Sequence, residues 1–127
     1  MEYRRTKHAV YLCNYHFVWI PKRRKPVLVG KIKERLKQII EEVCNENGWE
    51  IFTLEIMPDH VHLFLSAPPY FSPHIILRKI KGRSARILRQ EFPELLKLPS
   101  MWTRSYFVST AGNVSSETIR KYIEGQL

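Results

Sequence analysis

A chain of 127 residues, 44% of them apolar, is long enough for one domain with a core of its own, and it holds no run of about 18 apolar residues that would span a membrane. Its 21 Lys and Arg against 12 Asp and Glu leave a net charge of +9, which attracts polyanions, nucleic acid above all. The polar start Met1-Glu2-Tyr3-Arg4-Arg5 does not read as a signal peptide, and Cys13 and Cys44 read as reduced thiols, so an intracellular protein is expected.

Residues 10–20 are rich in aromatic and β-branched types and predict a long first strand, ended by Pro21. Lys22-Arg23-Arg24-Lys25 follows as a basic loop. Ile32, Leu36, Ile39, Ile40 and Val43 recur at helical spacing, so residues 30–47 predict a helix with its stop at Asn47-Gly48. Residues 49–57 predict a second strand with Phe52, Leu54 and Ile56 on one face, and Pro58-Asp59 a tight connection to a third strand over 60–66. After a Pro-rich loop containing Tyr70 and Phe71, a helix is expected over 74–91, apolar at Ile76, Ile80, Ile87 and Leu88. Arg78, Lys79, Lys81, Arg83, Arg86 and Arg89 make this helix strongly basic. Residues 102–109 predict a fourth strand, on which Arg104 and Tyr106 would share a face and border the site. Ala111-Gly112-Asn113 reads as a turn, and a last helix is expected over 115–126, capped by Ser115 or Ser116. The order β-α-β-β-α-β-α matches a ferredoxin-like, split βαβ antiparallel sheet with two helices on one face, followed by a C-terminal helix. No repeat or linker interrupts it.

The chemistry concentrates at Asp59-His60-Val61-His62-Leu63. On a strand, His60 and His62 project from one face while Val61, Leu63 and Leu65 project from the other, toward a core. Two adjacent imidazoles on an open sheet face make half of a divalent-metal site, although an H-x-H pair also serves as packing. Tyr122 and Gln126, four apart, share a face of the last helix. A tyrosine beside a metal can act as a nucleophile, and a glutamine amide oxygen can supply a third ligand suited to Mg²⁺ or Mn²⁺. Interfacial packing for Tyr122 and solvation for Gln126 are the alternatives. His16 reads as a packed, hydrogen-bonded histidine that shares the open face.

In order and spacing, four stretches resemble one family: Asp59-His60-Val61-His62-Leu63, Leu77-Arg-Lys-Ile-Lys-Gly-Arg-Ser84, Trp102-Thr-Arg-Ser-Tyr-Phe-Val108 and Tyr122-Ile-Glu-Gly-Gln126. Together with Tyr15-His16-Phe17-Val18-Trp19 they are similar to the single-tyrosine HUH transposases of the IS200/IS605 insertion sequences, over nearly the whole chain. The resemblance implies that His60, His62 and Gln126 hold Mg²⁺ or Mn²⁺, with no nucleotide cofactor. It implies that Tyr122 attacks a phosphodiester of single-stranded DNA, leaving a 5′-phosphotyrosine and a free 3′-OH. Hairpins near the element ends would be the recognised DNA, and the protein a homodimer in which one subunit's tyrosine helix can complete the other's histidine site. Lys22, Arg23, Arg24, Arg78, Lys79, Lys81, Arg83, Arg86 and Arg104 become candidate DNA contacts. A cytoplasmic, nucleoid-associated protein without membrane partners is the expectation. The sequence ends one residue after Gln126, so fraying of the last helix is expected. A transposase domesticated by its host, and a non-catalytic ferredoxin-like module whose binding survives EDTA, are the alternatives.

Overall fold

The computed structural model describes residues 3–110 and 113–125. A small hairpin of β1 (Arg4–Arg5) and β2 (Val10–Tyr11) precedes β3 (Asn14–Trp19), α1 (Gly30–Asn47), β4 (Glu50–Met57) and β5 (His60–Ser66). Then come α2 (Pro73–Glu91), β6 (Phe107–Ser109) and α3 (Ser116–Glu124). The last four strands form one antiparallel sheet in the order β4-β5-β3-β6. This is the split βαβ arrangement, with β5 and β3 in the centre.

Alternation across the pleat decides what each face carries. Phe17 and Trp19 of β3 and Val61, Leu63 and Leu65 of β5 are fully buried in one core with Leu36, Ile39 and Ile40 of α1 and Ile76, Leu77 and Ile80 of α2. Removing one of these large side chains costs about 2–5 kcal/mol. Val18 of β3 and Ile20 project the other way and pack with Ile123, beside Ile119 and Tyr122 of α3. So α3 lies on the sheet face that α1 and α2 leave uncovered. Two bidentate ion pairs clasp α1 to α2: Arg35 with Glu91 at 2.9 and 3.2 Å, and Arg83 with Glu46 at 2.9 and 2.7 Å.

The helix ends follow their capping residues. Ser72 accepts the Ile75 N–H at 3.2 Å ahead of Pro73, and Ser115 accepts the Thr118 N–H at 3.1 Å. Gly48 ends α1 in the left-handed region, φ 72°, with its N–H reaching the Asn45 and Cys44 carbonyls. A Cβ at Gly48 would meet nothing within 4 Å, so only backbone strain opposes a side chain there. Gly48→Ala is expected to cost about 1–2 kcal/mol, read as a lower melting temperature at unchanged secondary structure. An unchanged melting temperature would mean that the cap relaxes without loss.

Three expectations are corrected. The strand expected over 10–20 is divided, because Val10–Tyr11 pairs back onto Arg4–Arg5 while Asn14–Trp19 pairs with β5 and β6. The strand expected over 102–109 shortens to Phe107–Ser109. Trp102 keeps only an isolated bridge to Pro21, and its buried indole N–H donates to Ser84 Oγ at 3.0 Å, so its aromatic character serves the core. A register shift between Ile51 and Thr53 turns Phe52 out of the core face, where it is exposed and lies 5.1 Å from the Phe64 ring. Ile51, Leu54 and Ile56 take the core side instead. Among the described residues the final helix spans Ser116–Glu124, with Gly125 at its C-cap. Ala111 and Gly112 of the expected turn, and Gln126, lie outside the described residues. Among the described residues no helix is long and apolar enough to cross a membrane.

Candidate active site

The two-residue turn Pro58-Asp59 closes the β4–β5 hairpin, where Met57 pairs with His60 and Glu55 with His62. His60, His62 and Phe64 therefore stand on the face opposite the main core, the face that α3 covers. His60 is partly exposed at the mouth of a cleft of about 430 Å³. Its Nδ1 lies 2.9 Å from Asp59 Oδ1, and Arg24 Nε lies 3.6 Å from Asp59 Oδ2.

His62 sits deeper, at 8% exposure, and His16 at 5%. His62 Nε2 and His16 Nδ1 are 3.0 Å apart in a hydrogen bond, one ring donating and the other accepting. The His16 ring lies flat on Phe64, with centroids 3.9 Å apart and planes within 3°. His16 is thus packed and hydrogen-bonded. Burial pushes the His62 imidazole below the usual histidine range, helped by His16 and His60 and opposed by Glu55. A neutral ring keeps a lone pair for a ligand at neutral pH.

From the other side, α3 walls the cleft with Ser116, Ile119, Arg120, Ile123 and Glu124. Arg24, Glu55, Met57 and Asp59 complete it around His60. Tyr122, on the same helix, is not among the cleft's lining residues. Its hydroxyl is 3.2 Å from Ser105 Oγ and its ring 6.1 Å from Phe107, toward the β6 end of the sheet. Burial raises the phenol above its usual range, against a smaller opposing effect of the Ser105 hydrogen bond, so it rests protonated. The structure brings His60 and His62 to one face and places α3 over that face, with Tyr122 turned toward Ser105.

The donor set suits a divalent ion. His60 has Nε2 left over once Nδ1 engages Asp59, and Glu55 and Asp59 add negative charge. An ion taken by His62 Nε2 would exchange the His16 bond. Among the described residues no group of three or more His, Cys, Asp or Glu stands ready to hold a metal.

The basic residues divide between two places. Arg24 and Arg120 line the histidine cleft, and neither Arg120 nor Glu55 carried a signal in the sequence. Arg78, Lys81 and Arg104 line a second cleft, of about 350 Å³, between α2 and the 100–106 segment, with Trp102 and Tyr106. Arg104 and Tyr106 therefore do not border the histidines as expected, because their segment is not a strand and packs on α2. The Lys81 ammonium donates to the Thr103 carbonyl at 2.7 Å and the Arg104 carbonyl at 3.4 Å, and burial pulls it down to about 8. Arg83 is held by Glu46. Lys22 and Arg23 lie in the turn that carries Arg24, and Lys79 and Arg86 are exposed on α2. Cys13 and Cys44 are free thiols, and burial pushes Cys44 up to about 12.

Comparison with known proteins adds a family to this geometry. The family described as "Transposase IS200 like" matches residues 9–126. The chain is 37% identical to the ISDra2 transposase TnpA of Deinococcus radiodurans, over 99% of this chain and 92% of that protein. It is 30% identical to the transposase for insertion sequence element IS200 of Salmonella typhimurium, over 94% and 80%. A crystal structure of a candidate transposase from Deinococcus radiodurans R1 superposes with a TM-score of 0.88 at 37% identity, covering 97% of each chain. A REP-associated tyrosine transposase bound to a REP hairpin shares the fold at 20% identity, with a TM-score of 0.60 over 98% of this chain and 68% of that one.

Proposed function

The chain belongs to the IS200-like transposases and is a DNA transposase, and from that premise we propose that it cuts and rejoins single-stranded DNA through Tyr122 at a site built on His60 and His62. The observation that carries this reading is the placement of the two imidazoles on the sheet face covered by the helix that bears Tyr122. Residues 1–127 act as one catalytic domain. His60 and His62 hold Mg²⁺ or Mn²⁺, with Gln126 the candidate third ligand. Held there, such an ion would supply Lewis-acid polarisation of the scissile phosphate. Tyr122 Oη forms the bond to phosphorus and gives up its proton, the P–O3′ bond breaks, and the 3′ oxygen takes up a proton as the free 3′-OH. The phosphotyrosine bond conserves the energy of the broken phosphodiester, so rejoining needs no nucleotide.

The DNA is proposed to carry hairpins at the element ends, a partner class in keeping with the hairpin-bound neighbour. Arg24 and Arg120 can meet phosphates at the cleft. Arg78 and Arg104, with Lys22, Arg23, Lys79 and Arg86, can position the stem. Lys81 and Arg83 contribute charge while keeping their protein partners. The protein acts in the cytoplasm as a homodimer. Within one chain Tyr122 turns to Ser105 and not into the His60 cleft, which favours a tyrosine that serves the partner's histidines.

The test is to mix labelled single-stranded element-end DNA with the protein and Mn²⁺ and to look for a denaturant-resistant adduct. Adduct is expected with metal and none in excess chelator. Mixed dimers of Tyr122→Phe and His60→Ala protomers are expected to regain activity, because one intact site forms from two subunits. Two inactive variants that stay inactive when mixed would place each tyrosine with its own histidines.

A further inference from the structure

We propose that Asp59 is a positioning residue, fixing His60 in the tautomer protonated on Nδ1 so that the Nε2 lone pair is the one offered to a divalent cation. This rests on the histidine site proposed above. An ionised carboxylate can only accept, so the 2.9 Å contact between Asp59 Oδ1 and His60 Nδ1 requires the proton on Nδ1. In a neutral imidazole the lone pair is then on Nε2 alone. The bond also stops rotation of the ring about its Cβ–Cγ axis.

The carboxylate is itself held from both ends. Its backbone is set by the Pro58-Asp59 turn, and the Pro58 carbonyl accepts the Leu28 N–H at 3.0 Å just before α1. Its second oxygen faces Arg24 Nε at 3.6 Å. Arg23 and Arg24 both have left-handed backbone, φ 60° and 51°, which side chains other than glycine seldom adopt. Two such residues in succession need a compensating interaction. The turn is closed by the Arg24 N–H donating to the Pro21 carbonyl at 2.9 Å, and it delivers the guanidinium to Asp59. His62 has a different partner, His16, so losing Asp59 should act on His60 directly and leave the His62 contact in place in the metal-free protein. Carboxylates that orient a metal-binding histidine fix its tautomer and raise its basicity, and their loss weakens metal affinity about 10–100-fold.

The experiment compares wild type, Asp59→Ala, Asp59→Glu and His60→Ala as full-length, metal-free chains. Mn²⁺ is titrated in, with free Mn²⁺ read by electron paramagnetic resonance. In parallel, ¹⁵N NMR of the His60 ring reads its tautomer without metal, at a pH above the ordinary histidine pKa of about 6.5. Asp59→Ala should fold and bind Mn²⁺ about 10–100-fold more weakly, its His60 no longer held to the Nδ1-protonated form. Asp59→Glu should restore part of both. If His60→Ala loses Mn²⁺ affinity while Asp59→Ala keeps it, the positioning role is overturned and the histidine site stands. If His60→Ala binds as wild type does, the histidine site falls and this inference with it. A wild-type His60 protonated on Nε2 overturns the inference without reference to metal.

Discussion

Tyr122→Phe is expected to yield a folded, DNA-binding protein that forms no covalent adduct. The substitution removes one oxygen and keeps the ring, so the packing near Phe107 and beside Val18, Ile20 and Ile123 is retained. Among the described residues, the hydroxyl gives up its 3.2 Å contact with Ser105 Oγ, which is exposed and worth at most about 1 kcal/mol. The chemical loss is far larger, because removing the proposed nucleophile, as part of a unit that acts together, lowers turnover by about 10⁴-fold or more. Gel-shift affinity for single-stranded element-end DNA should therefore match wild type, while denaturing gels show free DNA only. Adduct formation at the wild-type rate in Tyr122→Phe would transfer the nucleophile to another residue.

His60→Ala and His62→Ala should both abolish cleavage but differ in what they do to the fold. Each removes a proposed ligand, and Lewis-acid stabilisation of the phosphate is worth several kcal/mol, a loss of about 10²–10⁴-fold or greater. His62 is buried, hydrogen-bonded to His16, and stacked near it with ring centroids 5.2 Å apart. Its truncation strips a partner from a buried ring and should cost about 1–3 kcal/mol of stability. His60 sits at the cleft mouth with 19% of its side chain exposed, so its truncation should lower the melting temperature much less. Thermal denaturation alongside the adduct assay separates the two effects. Equal destabilisation by both variants would contradict the difference in burial, and full cleavage by either in excess chelator would remove the metal site.

Much of the architecture was legible because local pattern and tertiary demand agree. The stripe Ile32, Leu36, Ile39, Ile40, Val43 became α1 with the expected bounds, and the alternation through Val61, Leu63 and Leu65 set the core face of β5. The divided first strand was not legible, since nothing local to residues 10–20 reports that Arg4–Arg5 competes for Val10–Tyr11. Phe52 was misplaced because a bulge shifts the period of two by one residue without any mark in composition. The 102–109 segment was over-read because aromatic and β-branched residues signal burial of either kind. Trp102 is buried as a hydrogen-bonded plug against Ser84, not as part of a strand.

By itself the sequence determined the order of the sheet's four strands and the three α-helices, the sheet face that carries His60 and His62, and the resemblance to IS200/IS605 transposases with which the family match agrees. These depend on residue spacing, which strand and helix periodicity convert directly into direction. Only the tertiary structure decided that His16 holds His62, that Asp59 and Arg24 hold His60, and that Tyr122 faces Ser105 instead of the cleft its own helix walls. It also divided the basic residues between two clefts. Each of these is a contact between groups far apart in the chain or set by a turn's backbone. Their distances follow from how the sheet and helices pack, a property that no local pattern encodes.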